Sequence, residues 1–107
     1  MNLAERAEEL SNYVHLQSEH GDVSPPADTV WCAATILHAV TAVDGSVYVD
    51  GTVIVIEFDL PDGRCVDAFV RNASDITVLS SPYEDGTTER KFASVTGAVQ
   101  FVKSHFK

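Results

Sequence analysis

Basic residues are the scarcest feature of this chain. Lysine and arginine together number 7 against 16 aspartates and glutamates, a formal net charge of −9. Such a balance repels phosphates and excludes unaided nucleic-acid binding. Cysteine is nearly as sparse. Cys32 and Cys65 have no CxxC spacing and no second pair, so neither a zinc ribbon nor a disulfide framework is indicated, and two buried thiols in a reducing cytosol are expected. No stretch approaches the roughly 18 to 20 apolar residues of a membrane span. The first ten residues carry three glutamates where a secretory signal needs basic and then apolar residues. The expected location is the cytoplasm, with no membrane partner. Also missing are a Gly-rich phosphate loop, a Gly-x-Ser-x-Gly elbow and a His-Glu-x-x-His pair. No catalytic residue, metal-ligand set or cofactor is therefore assigned.

What is present is a chain of 107 residues, 45% hydrophobic, without repeats or low-complexity tracts. This composition suits one folded α+β domain over residues 1–107. The charge is lopsided. Residues 1–63 hold one basic and eleven acidic residues, net −10, and residues 64–107 hold six basic and five acidic, net +1. An acidic half attracts basic protein surfaces or cations over about 10 Å before salt screens it. The same balance suits solubility or a salty cytoplasm, so the case for a docking surface rests on where the acids fall.

Leu3, Ala7, Leu10 and Val14 form an apolar stripe at helical spacing, which predicts a first helix over about 3–19 closed by Gly21. Residues 27–43 read as a second helix, with Thr35, His38 and Thr41 along one polar strip, although seven β-branched residues in seventeen also suit a strand. Ser94 can cap a last helix with the stripe Val95, Ala98, Val99, Val102 and Phe106. Between them lie three turn signals. Asp50-Gly51 suits a two-residue type I′ hairpin, Pro61-Asp62-Gly63 a three-residue loop, and Asn72 to Asp75 a third turn. These predict a four-stranded antiparallel meander over about 46–49, 52–60, 64–71 and 76–80, with a polar loop over 81–88, flanked by one or two N-terminal helices and a C-terminal helix.

Turn geometry sets register, and register sets the faces. A loop over 61–63 pairs Leu60 with Arg64, Phe58 with Val66, Ile56 with Ala68 and Ile54 with Val70. Val47, Val49, Thr77 and Leu79 join this face, which is the expected core, to be completed by Val99 and Val102. The other face carries Tyr48, Val53, Val55, Phe69, Ile76 and Val78 at one end and Glu57, Asp59 and Asp67 at the other, with Glu57 opposite Asp67. Six apolar side chains exceed what a monomer usually leaves bare. The second helix, a second copy of the chain in a homodimer, or a partner is expected to cover them.

The helix–three strands–helix order resembles that of double-stranded RNA-binding domains, in topology alone. Those domains hold phosphates with clustered lysines at the start of the last helix. The stretch expected there reads Thr87-Thr88-Glu89-Arg90-Lys91 in an acidic chain, and RNA binding is rejected. Glu19-His20-x-Asp22 offers metal-type ligands but no second cluster, and reads as a solvated helix end. His38 reads as a satisfied, half-buried histidine. The leading expectation is a small non-enzymatic interaction module of the inhibitor, immunity or antagonist type. It would present carboxylates in place of phosphates to a basic partner protein through Glu57, Asp59, Asp62, Asp67, Tyr48 and Phe69. The alternative is a divalent-cation-dependent enzyme or small-ligand binder using Glu57, Asp59 and Asp67.

Overall fold

The computed structural model describes residues 2–17, 25–40, 45–60, 63–81 and 88–104. It is an α+β fold of three helices and one antiparallel sheet. The helices are α1 (Leu3–Gln17), α2 (Ala27–Ala39) and α3 (Val95–Ser104). The strands are β1 (Gly45–Asp50), β2 (Val53–Asp59), β3 (Cys65–Asn72), β4 (Asp75–Ser81) and β5 (Thr88–Phe92), in spatial order β1-β2-β3-β4-β5. None of the described helices is long and apolar enough to cross a membrane.

The three helices form where the apolar stripes fall. Asn2 caps α1, its Oδ1 accepting from the Glu5 amide at 2.9 Å, and Leu10 and Val14 are buried against α2. In α2, Thr29, Val30, Ala33, Ile36 and Leu37 are buried at helical spacing. Burial of that stripe outweighs the strand preference of its β-branched residues. The helix begins after Pro26, which supplies extended φ and ψ at the cap, and ends at Ala39, short of the expected 43. Ser94 caps α3 as expected, with Oγ accepting from the Gly97 amide at 3.3 Å. Gly21, the Glu19-His20-Asp22 cluster, Thr41, His105 and Phe106 lie outside the described residues.

The first two hairpins keep the expected faces. In the first, the loop is Gly51-Thr52, closed by Asp50 opposite Val53, instead of Asp50-Gly51. Gly51 alone takes positive φ (62°), as the first central residue of a II′-type turn requires. Pairing shifts by two residues, so Val47 and Val49 stay on the core side. In the second, the Leu60 amide donates to the Arg64 carbonyl at 2.9 Å, and the pairs Phe58–Val66, Ile56–Ala68 and Ile54–Val70 all form.

The third hairpin corrects the expected register. Asn72 pairs with Asp75, and Asn72 Oδ1 accepts from the Ser74 amide at 2.8 Å, an Asx turn. Val70, however, pairs with Ile76, leaving Arg71 as the extra residue of a β-bulge. One unpaired residue exchanges the two faces of β4. Ile76, Val78 and Ser80 therefore enter the core, and Thr77 and Leu79 turn to the opposite side. The bulge is held from two directions. Thr29 Oγ1, fully buried on α2, donates to the Arg71 carbonyl at 3.2 Å, and Arg71 Nη1 donates to Thr77 Oγ1 at 2.8 Å.

The sheet has five strands where four were expected. Thr88–Phe92, read as loop and helix approach, pairs along β4 from Ile76–Phe92 to Ser80–Thr88. Phe92 then stacks on Phe101 of α3 with ring centroids 5.4 Å apart, and the Arg90 guanidinium sits 5.4 Å from the same ring.

All three helices serve one sheet face. The core joins α2 and α3 to Ile54, Ile56, Phe58, Val66, Ala68, Val70, Ile76 and Val78, with Val99 and Leu79 only half-buried, less than expected. From Val53 to Phe58 and from Cys65 to Val70 burial alternates, full on this face and partial on the other. The expectation that α2 covers the second face is overturned: α2 packs on the core face, and no described element covers the other side.

Candidate functional site: the open sheet face

The residues of the open face follow from the pairing. One row across the sheet runs Tyr48, Val55, Phe69, Thr77 and Lys91, and the next runs Ser46, Glu57, Asp67, Leu79 and Glu89. Asp59 and Cys65 form the row beyond. The first row is apolar at its centre. Val55 and Phe69 are half-buried among their neighbours, while Tyr48 on edge strand β1 is 52% exposed. The second row places Glu57 directly beside Asp67.

Five of the six expected site residues therefore share this face, with Tyr48 and Phe69 in one row and Glu57, Asp59 and Asp67 in the rows beside it. Asp62, the sixth, lies outside the described residues. Ile76 and Val78, placed here by the unbulged register, are in the core. Thr77 and Leu79 take their places, and β5 adds Glu89 and Lys91. A missing signal explains these differences. The bulge has no marker in Arg71 itself, and a strand made of Thr-Glu-Arg-Lys-Phe has no apolar alternation to reveal it.

Asp67 is the electrostatic focus of the site. Its carboxyl is pushed above the ordinary aspartate value, first by partial burial, then by the charges of Glu57 and Asp59. Its Oδ1 is buried and has no hydrogen-bond partner among the described residues. An ionised oxygen in that position lacks the compensation that buried charge needs. Cys65 Sγ lies 3.6 Å from Asp59 Oδ1, and desolvation, that hydrogen bond and the three neighbouring acids raise its thiol pKa. A thiol held protonated in this way is a poor nucleophile at neutral pH. Cys32 is buried, as expected, but Cys65 is only half so.

The acids adjoin one another without closing around a point. Among the described residues no group of three His, Cys, Asp or Glu side chains could hold a metal ion. What the face can do chemically is accept: it offers carboxylate oxygens next to an apolar and aromatic row, suited to cationic side chains with long apolar stems. Compared with family models, curated proteins and solved structures, the chain matches none.

Proposed function

We propose that this chain is a non-enzymatic protein-interaction module, and that it docks a basic partner protein on the open sheet face. The observation that carries this reading is the pair Glu57 and Asp67, two carboxylates side by side on the open face next to the row Tyr48, Val55 and Phe69. A lysine or arginine laid across that row relieves the repulsion between the two acids. The aromatic row provides the desolvated contact that anchors an interface, and the carboxylates steer the approach and fix the orientation. The target class is a protein whose basic surface ordinarily meets phosphates.

The test is retention on the immobilised full chain from host lysate at low and at high salt. Two variants run alongside, Phe69→Glu and the triple change Asp59→Asn, Asp62→Asn and Asp67→Asn. A protein held at low salt by the natural chain, and lost with high salt and with each variant, supports the reading. Retention of nothing at either salt, or retention indifferent to both variants, overturns it. A melting temperature raised by millimolar Mg²⁺, Mn²⁺ or Ca²⁺ would instead favour a cation-binding role for Glu57, Asp59 and Asp67.

A further inference from the structure

The two edges of the sheet are closed by different means. β5 carries Glu89, Arg90 and Lys91 within five residues, charges that keep an edge from pairing with another strand. β1, Gly-Ser-Val-Tyr-Val-Asp, has no basic residue, no proline and a single charge at its end. Little in its own sequence guards it. Its outward backbone groups follow from the pairing. Asp50 closes the hairpin opposite Val53, and in an antiparallel ladder the residues that bond the partner strand alternate with those that face away. Gly45, Val47 and Val49 therefore face away from β2.

The middle one of these is already taken. Tyr13 of α1 donates its phenol hydrogen to the Val47 carbonyl at 3.0 Å. An added strand would need to bring an amide to about 2.9 Å from the same oxygen. Tyr13 and an added strand thus compete for one acceptor at the centre of the edge. α1 brings more than the phenol. Leu10 and Val14 are buried against α2, which anchors the helix beside β1. Arg6 and Glu9, on the turns before Tyr13, line a groove of about 320 Å³ together with Gly45 and Val47 of β1. A strand laid along this edge would displace or desolvate these charged side chains.

We infer that α1 is the guard of the β1 edge and Tyr13 its latch, so that the helix keeps the sheet from taking up a sixth strand. A covering helix is one of the ways in which a sheet edge is closed. This role accounts for a phenol that is 39% exposed and yet turned back onto the backbone 34 residues further along the chain. The guard acts at the strand edge and not on the open face, so it is independent of the docking role proposed above.

Sedimentation equilibrium and far-UV circular dichroism of the full chain and its variants test this. The natural chain should sediment at the 11.6 kDa of one copy at every concentration. Tyr13→Ala should keep the helix and sheet signal and, as concentration rises, sediment at about twice that mass or more. Tyr13→Phe, which keeps the ring and removes only the hydroxyl, should do the same at higher concentration. Adding Val47→Pro to Tyr13→Ala removes an outward amide that the inner ladder does not use, and should return the variant to one copy. Ser46→Lys, an edge lysine of the kind β5 carries, should do so too, and decides if the proline disturbs the fold. If Tyr13→Ala is itself unfolded, Tyr13→Phe decides in its place. Variants as monomeric as the natural chain overturn the inference, and so does a natural chain that associates as readily as they do. Association that survives both edge substitutions overturns it as well, because the contact then lies elsewhere.

Discussion

Glu57 faces Asp67 directly across the β2–β3 ladder, in the middle of the sheet surface that no described helix covers. Like charges so placed destabilise a pair of strands by a fraction of a kcal/mol to about 1 kcal/mol. The fold tolerates this cost at a position where Val, Thr or Asn would avoid it.

Asp67 should therefore give the stability curve a recognisable slope. Its carboxyl is raised in the folded state, so between the ordinary value of 3.8 and the folded value the native chain holds its proton more tightly than the unfolded chain. Stability falls as pH rises through that window. Asp67→Asn should gain up to about 1 kcal/mol at neutral pH, and the gain should vanish below the ordinary aspartate range. Urea denaturation of both proteins across pH checks this; a gain independent of pH would assign it to something other than the charge.

The two phenylalanines of the central strands should behave oppositely. Phe58 is fully buried, and Phe58→Ala should cost roughly 3 to 5 kcal/mol, enough to unfold most domains of this size. Phe69→Glu, on the open face, should cost about 1 kcal/mol or less and leave the circular dichroism unchanged. Equal losses in denaturant titrations would mean that the open face is not open.

Gly45 matters for space and not for backbone freedom. A Cβ there would lie 3.0 Å from Phe58 Cε1 and 3.1 Å from Leu37 Cδ2, both inside the core. Gly45→Ala should cost about 1 to 3 kcal/mol through overpacking. A thermal melt unchanged by the substitution would show that this corner of the core yields freely.

Thr29 should be a stability residue despite its polar group. Its hydroxyl satisfies the Arg71 carbonyl at the bulge, and Thr29→Val keeps the volume while orphaning that acceptor, at a cost of about 1 to 3 kcal/mol. Deleting Arg71 should do far more. Without the bulge Ile76 and Val78 would face outward, and the chain should lose cooperative unfolding. A well-folded deletion variant would show that the core accepts Thr77 and Leu79 in their place.

The sequence by itself determined the class, the first and last helices at their apolar stripes, and the pairing from β2 into β3; whether residues 27–43 form a helix or a strand it left open. Those features are local. A Pro-Asp-Gly loop admits one closing pair, and alternation carries that register along two strands, which is why Glu57, Asp67, Tyr48 and Phe69 could be assigned to one face before any tertiary structure was known. What only the tertiary structure decided lies beyond Val70. Ile76-Thr77-Val78-Leu79 offers two apolar faces, and the choice falls to the bulge at Arg71, fixed by a hydroxyl from a helix 42 residues earlier in the chain. β5 exists because β4 gives it a partner and Phe101 gives Phe92 and Arg90 a surface to pack on. The helices' common side was equally illegible. Periodicity tells a helix to bury its stripe, but which sheet face receives it depends on where the whole chain places its largest apolar area.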